Sequence, residues 1–222
     1  MEYCLVAVSR SPYPLSGCDR PGGGFPPDHL PMSNVPFPEL VKQARSIRRF
    51  IEADPIPAEE VRRLVDIVRF VPSASNQQPL RYRLVTEEVE RAKVFPCLRW
   101  ASALKRWVGP QEGERPTAYI LIVKVRGRHV GHDAGIAAQT IQLAATAAGY
   151  GACMMDAMDK NALQSALGLG REREVELVLA LGRPAEKVEL EELVFGANSA
   201  YWRTTDQVHH VPKRRLADVL IA

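Results

Sequence analysis

The sequence has no apolar run long enough to cross a membrane. Its longest, residues 118–125, contains Lys124 and falls far short of the roughly 20 residues that a span requires. It reads as a buried strand. An excess of charge of either sign is also missing: 29 Lys and Arg face 26 Asp and Glu, a formal net charge of +3. That field is too weak to draw in nucleic acid or a membrane surface, so any anion recognition is local. Cysteine is scarce and scattered. Cys4, Cys18, Cys97 and Cys153 form neither a CxxC pair nor a Cys/His ligand spacing, which argues against a zinc site or a disulfide framework and suits reduced thiols in a cytoplasmic protein. Phosphate-loop signatures are missing as well. Gly22-Gly23-Gly24 has no Lys and helix after it, and Gly149-Tyr150-Gly151 follows a helix pattern rather than a strand, which disfavours a Rossmann site. No GxSxG nucleophile motif occurs.

What is present is the composition of one folded unit: 222 residues, 46% hydrophobic and 25% charged. Residues 1–33 stand apart. Six prolines and Gly22-Gly23-Gly24 fall in this stretch, a composition that sustains no regular element, and it lacks the basic start and apolar core of a secretory signal. It is expected to be a flexible extension, arising from an upstream translation start or serving as an arm that wraps a partner. Residues 34–222 are expected to form a single domain.

Within that domain, a short helical pattern at residues 38–44 leads into Arg45-Ser46-Ile47-Arg48-Arg49-Phe50. Pro57 opens a helix with Glu59 and Glu60 in its first turn, and Val61, Leu64, Val65 and Val68 keep the i, i+3, i+4, i+7 spacing of a buried stripe. The spacing predicts strands at 81–86, 119–125 and 175–181, with helices at 87–98 (cut by Pro96) and 161–167. An irregular excursion around Trp100, Trp107 and Pro110 has the length of a lid. Asp133 is predicted to cap a helix that runs to Ala148 and stops at Gly149. That helix is nearly uncharged and rich in small residues, so it is expected to be enclosed, as the core helix or as a dimer seam.

Three features could carry chemistry. Arg45, Arg48 and Arg49 form one basic cluster, and Lys213, Arg214 and Arg215 another. Guanidinium forks bind phosphate bidentately, and Ser46 adds a hydroxyl. Between them lies Pro72-Ser73-Ala74-Ser75-Asn76-Gln77-Gln78-Pro79, with more hydrogen-bonding side chains than a connector requires. One phosphorylated cofactor would account for all three; taken singly, each cluster reads as a solvated face. His129, His132, His209 and His210 lack the helical i, i+4 spacing of a metal site, and no metal is expected.

Taken in order, these residues resemble the nitroreductase-like flavoproteins, which bind FMN and use NADH or NADPH. Arg45-Ser46-Ile47-Arg48-Arg49-Phe50 is similar to the family's Arg-Ser-x-Arg-x-Phe, and residues 72–79 to its Pro-Ser-x-x-Asn-x-Gln-Pro. Residues 133–139 resemble its central-helix start, while Gly149-Tyr150-Gly151 and Leu181-Gly182-Arg183-Pro184 also fit. His209-His210-Val211-Pro212-Lys213-Arg214 resembles the ending of one branch. The resemblance covers residue 36 onward. It implies an α+β, three-layer fold with a mostly antiparallel central sheet flanked by helices, assembled as an entwined homodimer with two sites at the interface.

Carried over by position, the resemblance implies that Arg45 and Ser46 hold the FMN phosphate and ribityl chain. Arg48 would lie near flavin N1/O2, as the electrostatic catalytic group. Pro72, Ser73, Ala74, Asn76 and Gln78 would come from the other subunit; Gly151, Ala152, Cys153 and Met154 would line the flavin; Lys213 or Arg214 would reach the phosphate. Ala44 departs from the pattern, since many members have a second basic residue there. The implied activity is ping-pong hydride transfer from NADH or NADPH to a small-molecule acceptor, a nitroaromatic, quinone or similar conjugated electrophile. Reductive dehalogenation or flavin/oxygen chemistry on the same cofactor is the alternative, and a non-enzymatic binding protein a third reading.

Overall fold

Strand β2 (Ala118–Val125) explains the layering. Its first six residues are all buried, because alternate side chains of a strand point to opposite faces and both faces here are covered. Ala118, Ile120 and Ile122 join one apolar cluster with side chains from two helices, while Tyr119, Leu121 and Val123 join a second cluster on the other side. The computed structural model describes residues 34–104 and 107–221, all within one unit, Pro31–Ala222. The extension expected at residues 1–33, with Cys4 and Cys18, lies outside the described residues.

The elements run α1 (Phe37–Gln43), α2 (Ala58–Val68), β1 (Arg81–Val85), α3 (Glu88–Val94), β2, α4 (Asp133–Ala147), β3 (Gly151–Met155), α5 (Lys160–Ala166) and β4 (Arg173–Gly182). The four strands form a wholly antiparallel sheet in the order β1-β2-β4-β3. Helices α2 and α4 cover one face, through Val61, Leu64 and Val68 of α2 and Ala137, Ala138 and Ile141 of α4. The other face carries Val94 of α3 and Leu163 of α5. Each buried Leu or Val contributes about 1.5–3 kcal/mol relative to exposure.

Three further strands, β5 (Val188–Glu192), β6 (Trp202–Arg203) and β7 (His209–Lys213), form a separate sheet in the order β5-β7-β6. Strands β5 and β7 pair in parallel and β6 and β7 antiparallel.

Gly149 stops α4 as expected, at φ 79°. Its amide donates to Thr146 O and that of Tyr150 to Ala145 O, a Schellman closure that turns the chain directly into β3. The expected role of Asp133 is corrected. The residue at the cap position is His132, with no side-chain cap bond, and the Asp133 carboxylate instead points across to residues 73 and 74. Helix α4 is also less enclosed than its composition suggests: Gly135, Ile136 and Gln139 are exposed along one side.

Candidate functional site

The arginine motif is anchored on β3. Ser46 forms a parallel bridge with Ala152, and the Ile47 amide donates to Ala152 O at 3.0 Å. A side chain at position 151 would meet Ile47 at 2.8 Å, so glycine is what permits this approach. Ile47 and Phe50 enter the core while Ser46 and Arg48 stay half-buried. Arg45, Ser46, Arg48, Gly151 and Ala152 thereby come together. Arg45 is half-buried, its Nη2 donating to Val41 O at 2.6 Å. Its Nε is buried without a partner, and burial pulls its pKa down.

Arg48 sits in a charged nest. Its Nη1 donates to Ser46 O and to His209 Nε2, each at 3.2 Å. Its guanidinium lies 4.7 Å over the Tyr201 ring. The Arg48 amide donates to Glu186 Oε1, and Glu186 Oε2 accepts from Arg203 Nη2 at 2.6 Å. Arg203 in turn stacks 4.7 Å over Trp107, and Arg49 pairs with Glu114. Burial, then Arg48 and Arg203, lower the His209 pKa to about 4. Burial pushes the Cys153 thiol up to about 11, which keeps it protonated and poorly nucleophilic at neutral pH.

Lys213 ends β7 and Arg214 follows it, both exposed. Lys213 is four positions from His209, about 13 Å along a strand, so the basic tail lies at the opposite end of β7 from the residue that meets Arg48. His210 is held by its neighbours: its ring stacks on Trp202 at 4.1 Å and its Nδ1 meets Glu191 Oε1 at 2.5 Å. Among the described residues no three His, Cys, Asp or Glu side chains could hold a metal, and no helix is long and apolar enough to cross a membrane.

The amide-rich stretch is a separate construction. Ser75, Asn76 and Gln78 all have positive φ, at 49°, 52° and 46°, a conformation that costs each residue about 1 kcal/mol or more. Asp133 holds the strained turn. Its carboxylate accepts from Ser73 Oγ at 2.8 Å and from the Ala74 amide at 3.2 Å, and Ser73 Oγ accepts from the Gln78 amide at 2.9 Å. Residues 74–78 are left exposed, with Pro72, Ser73 and Gln78 rimming a cavity of about 180 Å³ that reaches Tyr82 and Asp133. Burial and then the Asp133 charge push the Tyr82 phenol up to about 12. Among the described residues no hydrogen bond or ion pair joins this loop to the Arg45–Arg48 segment of the same chain.

Sequence reasoning missed Glu186, Tyr201, Arg203 and the part His209 plays here. The His209-His210 pair was visible as a disfavoured metal candidate and as part of a branch ending, with no role beside Arg48 assigned to it, and Glu186 lies in a turn with no local pattern.

The sequence model of the nitroreductase family matches residues 41–116 and 118–183, and the chain belongs to that family. A Stenotrophomonas maltophilia protein provisionally named an NADH dehydrogenase/NAD(P)H nitroreductase is 32% identical over 72 residues; the match spans 32% of this chain and only 36% of that protein's length. The 5,6-dimethylbenzimidazole synthase of Rhodospirillum rubrum is 26% identical over 179 residues, covering 69% of this chain and 84% of that one. Among solved structures, a provisionally named nitroreductase from Exiguobacterium sibiricum in complex with FMN superposes with a TM-score of 0.57 at 19% identity, covering 68% of this chain and 89% of that one. The fold is therefore the nitroreductase fold.

Proposed function

We propose that the protein is an FMN-dependent NAD(P)H oxidoreductase that works as a homodimer. The observation that carries this reading is the docking of Arg45, Ser46 and Arg48 on β3, which gathers two guanidinium groups and a hydroxyl on one edge of the sheet. The donor set fits a phosphorylated flavin: the unpartnered Arg45 Nε and the Ser46 hydroxyl suit a dianionic phosphate and ribityl chain. FMN, when bound, supplies the two-electron carrier between NADH or NADPH and the acceptor. Arg48 would hold a fixed positive charge against the flavin, where it would stabilise the negative charge that reduction places on the ring. The backbone of Gly151, Ala152, Cys153 and Met154 would line the ring, and Lys213 or Arg214 would screen the phosphate.

The exposed, strained loop supports a shared site. Residues 74–78 are exposed and make no hydrogen bond to the arginine segment of their own chain, and a second subunit would bring Pro72, Ser73, Ala74, Asn76 and Gln78 to this one's arginine segment. The exposed side of α4 and the exposed apolar end, Leu216, Val219, Leu220 and Ile221, are surfaces that such a dimer covers. The acceptor is a small conjugated electrophile such as a nitroaromatic or quinone.

The absorption spectrum of the purified protein tests this. A yellow protein that bleaches with NADH or NADPH and is reoxidised by a quinone is expected; a colourless one that gains no colour with added FMN overturns the proposal. The similarity to a synthase favours a second reading, the same cofactor with a different reaction such as flavin/oxygen chemistry. Products formed under air but not under nitrogen would identify it.

A further inference from the structure

The hydrogen bond between Arg48 and His209 fixes more than a distance. Arginine has only donors, so His209 Nε2 must be the acceptor at 3.2 Å, and the neutral ring must carry its proton on Nδ1. That Nδ1 is buried without a hydrogen-bond partner, and an unmet buried donor costs about 1–3 kcal/mol. What offsets that cost is the acceptor that Nε2 offers to Arg48. The ring is fixed from several sides. Its backbone amide donates to Lys187 O at 2.9 Å, it pairs with Arg203 across β6 and β7, and it lies 5.1 Å from the Tyr201 ring. The same Tyr201 ring stacks on the Arg48 guanidinium.

We infer that His209 is a positioning residue: as a neutral acceptor, with Tyr201 as the flat support, it sets the orientation of the Arg48 guanidinium. The second sheet is thus the device that aims the cation, and residues 201–209 belong to the site although they lie outside the stretch that the family model matches. The charged and titratable groups facing the imidazole are Arg48, Arg203 and His210, with Glu186 bridging Arg48 and Arg203. A proton on His209 would add a cation beside two arginines and remove the acceptor, releasing Arg48.

The redox part of this inference rests on the FMN reading, so one experiment is made without flavin. In the apoprotein, long-range ¹⁵N–¹H spectra should show His209 as the Nδ1–H tautomer, still neutral at pH 5, with an Nε2 shift that moves in Arg48→Ala. An Nε2–H tautomer, or a charged His209 at pH 5, overturns the inference whatever FMN does. In the flavin-loaded protein, His209→Phe keeps the ring and removes the acceptor. It should lower the affinity for reduced relative to oxidised FMN about tenfold, about 30 mV in midpoint potential for a two-electron couple. His209→Gln, which restores an acceptor, should recover most of the loss, and His209→Phe should add nothing to Arg48→Ala. Equal effects of His209→Phe with and without Arg48 would mean a merely structural histidine and overturn the inference. Should His209→Phe fail to fold, the tautomer and the Gln variant decide. A wild type that binds no FMN removes the functional reading and leaves the tautomer test intact.

Discussion

At the scale of single residues, burial changes how two side chains beside the arginine segment behave. His209 stays neutral well below its usual range, with a folded pKa of about 4 against 6.5. Between those values the unfolded chain binds more protons than the folded one, so stability rises with pH across the window and is lost as pH falls from about 6.5 towards 4. The loss is on the order of 2 kcal/mol. Urea unfolding at pH 7 and pH 4.5 should show it, and His209→Gln should flatten the dependence. Cys153, lying in a predicted flavin-lining stretch, is buried and protonated, which leaves it a packing residue.

At the scale of elements, a helix end does work that capping rules do not foresee. The first-turn position of Asp133 looks like a cap in sequence, but its carboxylate is spent on Ser73 and Ala74. Helix α4 thereby anchors a loop with three strained residues. Removing the carboxylate in Asp133→Ala takes away both bonds and should cost about 1–3 kcal/mol. The phenol of Tyr82 should also titrate lower, since Asp133 is one cause of its raised value. Spectrophotometric titration and thermal melting would check the two effects separately. A Tyr82 that does not shift would mean that Asp133 is not coupled to this cavity.

At the scale of the whole molecule, the arginine segment on β3 and the amide loop held by Asp133 of α4 are joined by no hydrogen bond or ion pair among the described residues, and the proposed site needs both. In a dimer that completes each site from both subunits, Ile136→Arg on the exposed side of α4 should produce monomers in sedimentation, and these should lose FMN at concentrations where the wild type keeps it. Asn76→Ala, far milder, should weaken FMN retention without changing the mass. Monomers that keep flavin would refute the shared site.

Periodicity made the α2 stripe, the buried run of β2 and the Gly149 stop legible, because each depends on residues near in sequence. Strand β3 was not read as a strand, since Gly151-Ala152-Cys153-Met154-Met155 has neither alternation nor β-branched residues; it is a strand because β4 offers a paired edge and Ile47 needs a glycine. The second sheet was missed for similar reasons: β5 is rich in Glu, β7 contains Pro212 and β6 spans two residues. The ordered motifs determined the family and named Arg45, Ser46 and Arg48. Only the tertiary structure decided what faces them, because Arg48 and His209 lie 161 positions apart, and no local pattern encodes a contact between segments that distant.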